Sequence, residues 1–259
     1  MSLDFELDGK RALVTGAGQG VGAGIARTLA SAGAEVLVND FVPERADEVV
    51  AAIVAAGGAA RTLPFDVTDH QGVRDAIGGA GGVDVLVNNA GNAGSAGFGR
   101  LVPFADSDPE DWSPYFAVNL YGVMNCVHAA LPSMRDAGWG RVITIISDAG
   151  RIGEANMAAY AAAKAGAAGF CRAVAREVAR NGVTVNNIAL GTMRTPLTAA
   201  VYDDPERADQ MKAILSGYLI RRPGEADDAA WIVAMLASPR ASWVTGQTIP
   251  VNGGYSFAL

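Results

Sequence analysis

The chain has 259 residues, half of them hydrophobic and 18% charged, which is enough apolar surface for a sizeable core and too little charge for disorder. Its 20 basic and 27 acidic side chains leave a formal charge of −7. That balance excludes a general binder of nucleic acid or anionic membrane, because phosphate contacts need clustered Lys and Arg.

Short apolar strands alternate with longer helical stretches. Strands are expected over residues 11–15, 35–39, 60–65, 83–88, 141–147, 184–190 and 248–251. Near-continuous apolar runs, such as Val85-Leu86-Val87 and residues 142–146, suit strands covered on both faces of a parallel sheet. Helices are expected over residues 22–32, 44–56, 110–136, 156–181 and 226–237, with a short one between Asp69 and Gly82. Gly33, Gly57, Gly138 and Gly182 follow four of them, as helix stops do. The alternation gives an α/β, doubly wound sheet of about seven strands, with helices on both faces and one domain over 1–259.

Cys126 and Cys171 stand far apart in apolar stretches, so buried free thiols are expected and no disulfide or zinc spacing is present. His70 and His128 show no partner pattern and receive no role; no metal site is expected. The first eight residues carry acids where a signal peptide carries bases, and no apolar run is long enough to span a bilayer. The expectation is a cytoplasmic protein with a small-molecule substrate, binding neither nucleic acid nor membrane.

The first strand runs into Thr15-Gly16-Ala17-Gly18-Gln19-Gly20-Val21-Gly22 and then a helix. Glycines there let backbone N–H groups approach a pyrophosphate at a helix N-terminus. The strict G-x-G-x-x-G spacing fails, because Val21 takes its last position, whereas T-G-x-x-x-G-x-G fits. Alone, the cluster reads equally well as an Ala/Gly turn. Asp40 ends the second strand, where an acid accepts both ribose hydroxyls of NAD and repels a 2′-phosphate. Neither Gln19 nor Phe41 supplies a base for NADP, so NAD is the expected cofactor.

Tyr160 and Lys164 lie four residues apart on an expected helix and so share a face. A nearby ammonium and an oxidised nicotinamide would both lower the phenol's pKa from about 10. Tyr160 could then take the proton of an alcohol as hydride leaves. On its own the spacing is common.

Together with Ser147, these residues make the chain resemble the short-chain dehydrogenase/reductase family, in its compact single-domain, Rossmann-type branch. The matching motifs span nearly the whole chain. Thr15, Gly16, Gly20 and Gly22 match the cofactor loop, with Gln19 and Val21 inside it, and Asn88-Asn89-Ala90-Gly91 the N-N-A-G turn. Asp66, followed by Val67, resembles the acid at adenine, and Asn119 the helix asparagine. Thr245-Gly246-Gln247 and Asn252-Gly253-Gly254 match the carboxyl-terminal end. The resemblance implies that Asn119, Ser147, Tyr160 and Lys164 are catalytic. It gives Ser147 to the substrate oxygen, Lys164 to the nicotinamide ribose, and Asn119 to a water that relays protons from Lys164. Gly191, Met193 and Thr195 would line the cofactor, Thr195 at the carboxamide.

Three departures stand out. Leu190 replaces the usual proline before Gly191, which should free the backbone there. The helix after Asp69 is short. Asp148 follows Ser147 and reads as a solvated turn acid. The resemblance also implies a substrate lid over 192–222. Its Leu197, Val201, Tyr202, Met211, Ile214, Leu215, Tyr218 and Leu219 suggest an apolar wall, with Gly94, Phe98 and Gly99 bordering the cleft. The implied substrate is a hydrophobic secondary alcohol or ketone: a steroid, an alicyclic alcohol or a 3-hydroxyacyl thioester. Arg151 and Arg194 read as solvated. The resemblance further implies a homotetramer, with the helices over 110–136 and 156–181 at its main dimer interface. The alternatives are an NADP-dependent 3-oxoacyl reductase and a non-catalytic NAD(H)-binding regulator.

Overall fold

A computed structural model describes residues 5–92, 99–202 and 204–257. Seven parallel strands form one sheet: β1 Arg11–Val14, β2 Glu35–Val38, β3 Ala59–Thr62, β4 Val85–Asn88, β5 Gly140–Ser147, β6 Val183–Leu190 and β7 Thr248–Val251. Their order is β3-β2-β1-β4-β5-β6-β7. The chain winds outward from β1 in one direction, then returns to start again at β4. Ligands of doubly wound sheets sit at the crevice this reversal opens, beyond the strands' carboxyl ends.

The helices are α1 Gly20–Ser31, α2 Pro43–Ala55, α3 His70–Gly79, α4 Pro109–Phe116, α5 Val123–Ala137, α6 Ala149–Ile152, α7 Ala158–Val178, α8 Pro196–Tyr202, α9 Ala208–Ser216 and α10 Ala226–Ala237. One face of the sheet packs Ile25 and Leu29 of α1 against Val233 and Leu236 of α10. The other packs Val73 and Ile77 of α3 with Val127 of α5 and Val174 of α7. Each such side chain, removed from water, contributes about 1.5–3 kcal/mol.

All seven expected strands form, and α3 is short as expected. β3 ends before its expected limit because the Asn39 side chain takes its neighbours' carbonyls, donating to Leu63 O at 3.1 Å and Phe65 O at 3.0 Å. The expected plain helix over 110–136 is instead α4 and α5 joined by a π-helical segment, Ala117–Gly122. Gly138 and Gly182 adopt left-handed backbone at φ 64° and 72°, the conformation that stops α5 and the 3-10 turn after α7. Asp69 caps α3, accepting from Gln71 N and Gly72 N, each at 3.1 Å, which satisfies first-turn amides. Gly94 and Phe98, expected at the cleft, lie outside the described residues, as do the side chains of Leu197 and Val201.

Candidate active site

The loop from β1 to α1 is bolted to the end of β4 across the crevice. Thr15 Oγ1 accepts from Asn89 N at 3.0 Å and Ala90 N at 3.1 Å. Asn89 Nδ2 donates back to Thr15 O and Gly16 O at 3.0 and 2.9 Å. The loop is packed to the limit of glycine. A Cβ on Gly16 would stand 2.9 Å from Ala90 Cα, and one on Gly22 would meet the Gly16 carbonyl oxygen. The Gln19 side chain makes no capping hydrogen bond, so the first turn of α1 offers its amides to an anion.

Around this loop the other expected cofactor residues converge, with one exception in bearing. Asp40 is buried, and its carboxylate accepts from Gly18 N at 2.9 Å and Val42 N at 3.0 Å. Phe41 is 66% exposed and turns away from the core. Arg45 in α2 packs beside the same point: a Cβ on Gly18 would lie 2.6 Å from Arg45 Cβ. Neither Gln19 nor Phe41 supplies a base, but Arg45 lies five residues beyond Asp40, and the turn between β2 and α2 folds it back. Asp66 Oδ1 accepts from Thr68 N and Thr68 Oγ1, each at 2.8 Å, and Val67 is buried against Gly122. Thr195 roofs the loop, its side chain 3.3 Å from a Cβ built on Gly20, and Met193 is buried beside Gly224.

The backbone at Leu190 is not freed by the absence of proline, contrary to expectation. Leu190 pairs with Ser147 of β5 and Val251 of β7. Asp148 N donates to Leu190 O at 3.0 Å and Gly191 N to Val251 O at 3.3 Å. Strand pairing on both sides supplies the rigidity that a fixed φ would otherwise provide. Gly191 then passes beneath Tyr218, whose hydroxyl accepts from Thr192 N at 2.9 Å.

Ser147 ends β5 and faces the start of α7. Its hydroxyl accepts from Ala149 N at 3.2 Å and shares a hydrogen bond with Tyr160. Burial pushes the Tyr160 phenol up to about 12, the Ser147 bond opposing it and Glu154 and Tyr115 adding to it. Lys164 is also buried, which pulls its ammonium down to about 8. Its Nζ donates to Ile145 O at 2.8 Å and stands 5.8 Å from the Tyr160 ring centre. The phenol is thus raised by desolvation, with only the Ser147 bond opposing, and the expected lowering by Lys164 is not seen.

Asn119 sits in the π segment and is fully buried. Its Nδ2 donates to Asn92 O at 2.7 Å and Tyr115 O at 2.8 Å, while its Oδ1 is left without a hydrogen-bond partner. A Cβ on Gly91 would lie 3.2 Å from that Oδ1 and 3.3 Å from Lys164 Nζ. Glycine thus keeps open a small polar space shared by Asn119 and Lys164. A π bulge often marks such a site, because the extra residue turns one side chain out of the regular ladder.

Asp148 is not the solvated acid expected. It is buried, accepting from Arg151 Nη1 at 2.8 Å and Asn252 Nδ2 at 2.5 Å. Arg151, expected in solvent, also donates to Ser256 Oγ at 2.6 Å and Phe257 O at 2.8 Å. This clasp ties the carboxyl-terminal segment to the turn that carries Ser147. Tyr255 from that segment stacks on Tyr218, ring centres 4.6 Å apart. No local spacing announces the contacts of Asp148 and Arg151 with Asn252, Ser256 and Phe257, whose partners lie more than a hundred residues apart.

A glycine cradle at the sheet's reversal, beside a serine, tyrosine and lysine, can hold a dinucleotide next to a proton donor and acceptor. The sequence profile of the family described as Enoyl-(Acyl carrier protein) reductase matches residues 16–256. The chain is 38% identical over 254 residues to the 3-oxoacyl-(acyl-carrier-protein) reductase of Escherichia coli, covering 96% of this chain and 98% of that one. It is 36% identical over 255 residues to the 7alpha-hydroxysteroid dehydrogenase of the same organism, covering 97% and 96%. Among solved structures, a gluconate 5-dehydrogenase from Burkholderia cenocepacia, in complex with NADP and tartrate, superposes with a TM-score of 0.88 at 35% identity, over 99% and 98% of the two chains. Fold, site and relatives define a nicotinamide-dinucleotide oxidoreductase of the secondary alcohol–ketone class. The chain belongs to the short-chain dehydrogenase/reductase family.

Proposed function

We propose that this chain interconverts a hydrophobic secondary alcohol and its ketone with NAD(H), using Ser147, Tyr160, Lys164 and Asn119. The observation that carries this reading is the hydrogen bond between half-buried Ser147 and buried Tyr160, with Lys164 one helical turn beyond the tyrosine. Ser147 and Tyr160 both present a hydroxyl to one point, where a substrate oxygen accepts two hydrogen bonds and its carbonyl is polarised. Tyr160 gives its proton to that oxygen in reduction and takes it back in oxidation. Lys164, held by Ile145 O, supplies positive charge beside the phenol and a hydroxyl-directed donor for the nicotinamide ribose. The space at Gly91 admits a water between Lys164 Nζ and the unpaired Asn119 Oδ1, which returns the proton to solvent. The bound dinucleotide supplies or accepts the hydride.

Gly16, Gln19, Gly20, Val21 and Gly22 hold the pyrophosphate end, with Asn89, Ala90 and Gly91 beneath it. Asp66 and Val67 border adenine, and Gly191, Met193 and Thr195 the nicotinamide. The lid over 192–222 closes on the substrate, with Met211 and Tyr218 buried within it. The two curated relatives, one named for a 3-oxoacyl group and one for a hydroxysteroid, support a substrate of apolar body.

Asp40 supports NAD, since its carboxylate stands at the end of β2 where a 2′-phosphate would have to fit. A second reading, NADP, is favoured by Arg45 beside Gly18 and by the NADP-bound gluconate 5-dehydrogenase neighbour. Fluorescence titration with NADH and NADPH decides between them. NADH should bind at least about tenfold tighter, a difference of about 1.4 kcal/mol, and Asp40→Ala should narrow the gap. Equal or tighter NADPH binding that is lost in Arg45→Ala would overturn the NAD assignment and leave the reaction class standing.

A further inference from the structure

The chain has two histidines, and folding brings them together. His70 opens α3 and His128 lies in α5, both exposed. His70 Nε2 stands 3.4 Å from His128 Nδ1, with ring centres 5.3 Å apart and planes inclined at 43°. As a hydrogen bond this is long, since N–H donors usually approach their acceptors within about 2.7–3.2 Å. As two ligands of one ion it fits: tetrahedral imidazole coordination at about 2.0–2.1 Å sets the nitrogens about 3.3 Å apart.

We propose that His70 Nε2 and His128 Nδ1 form a two-ligand surface site for a borderline divalent transition metal ion, of the class of zinc, nickel or copper. Each facing nitrogen offers its lone pair when the ring proton sits on His70 Nδ1 and His128 Nε2. Among the described residues no third His, Cys, Asp or Glu joins the pair, so water fills the remaining positions. Two imidazoles without carboxylates favour copper over nickel and zinc, and all three over calcium or magnesium, which want oxygen.

The supports are rigid. Asp69 caps α3 at the residue before His70. Asn125, one turn before His128, donates to Val67 O at 2.9 Å and so ties α5 to the segment leading into α3. Val73 and Ile77 of α3 share a buried cluster with Val127 and Ala130 of α5. An ion here would bridge two helices already held in register, so little ordering opposes binding.

The test uses the metal-stripped protein in its solution assembly. Calorimetric titration with copper(II), nickel(II) and zinc(II) chloride is run on wild type, His70→Gln and His128→Gln, with electron paramagnetic resonance of the copper-loaded samples. The expected result is one ion per chain with two nitrogen ligands, and affinity roughly tenfold or more weaker in each variant. Zinc should raise the thermal midpoint of wild type and leave both variants unmoved. Wild-type uptake without saturation at one ion per chain would overturn the proposal. So would affinity unchanged in both variants, or reduced in only one of them.

Discussion

Burial sets the charges on α7. With Tyr160 pushed up to about 12 and Lys164 pulled down to about 8, neutral solution holds a protonated phenol beside a charged amine. That pair is ready to donate a proton to a carbonyl oxygen. Taking a proton from an alcohol needs further positive charge nearby to stabilise the phenolate. The sign follows for ketone reduction at saturating cofactor: the rate should fall as pH rises through about 8, where Lys164 loses its charge. A stopped-flow profile of hydride transfer that stays level across that range would contradict the role given to Lys164. Asp148 makes a second prediction. Asp148→Ala leaves Arg151 without its carboxylate in a largely buried clasp, and breaking such a pair costs about 3–5 kcal/mol; the thermal midpoint should drop sharply, and less so for Asp148→Asn. An unchanged midpoint would refute the clasp. Tyr160 and Lys164 were legible in the sequence because their relation is local, one helical turn. Asp148 was not, because Asn252 reaches it, and Ser256 reaches its partner Arg151, from the far end of the chain.

Among elements, the β1–α1 loop and the β4 turn act as one unit, and their glycines are set by contact distances. In Gly22→Ala the new methyl would collide with the Gly16 carbonyl and lie 2.5 Å from Asn89 Nδ2. NADH affinity should fall roughly tenfold or more, about 1.4 kcal/mol, while circular dichroism shows the helices intact. Unaltered NADH binding would remove this turn from the cofactor site. Strands were readable because Val and Ile runs suit a sheet covered on both faces. The π segment was not. Its apolar positions still repeat like those of a helix, and the one extra residue per turn leaves no compositional mark. Yet that segment is what carries Asn119 to the space at Gly91. The end of β3 was misread for a related reason, since the side chain of Asn39, a strand away, decides where the ladder stops.

At the scale of the molecule, acidity and apolar surface point in different directions. The net charge of −7 resists nonspecific association, while Trp243 is 97% exposed and Trp231 of α10, Tyr121 of the π segment and Met124 of α5 are partly uncovered too. We propose a homotetramer, the assembly that the family resemblance implies, in which part of this surface is covered. Light scattering at micromolar concentration should return four times the chain mass; a monomer would refute it. The carboxyl-terminal segment links the serine turn, through Arg151 and Asn252, to the segment over 192–222, through Tyr255 and Tyr218. Such a link is invisible to any reading by periodicity, because it depends on where three distant segments end.

Tyr160, in the proposed function, handles the substrate proton of a dinucleotide-linked alcohol–ketone reaction. The most direct test follows absorbance of the reduced cofactor with NAD and NADP across steroid, alicyclic, 3-hydroxyacyl thioester and sugar-acid alcohols, for wild type and Tyr160→Phe side by side. Wild type should turn over an apolar alcohol with NAD, and Tyr160→Phe should lose that turnover while still binding NADH. Turnover that survives in Tyr160→Phe would contradict the role given to Tyr160.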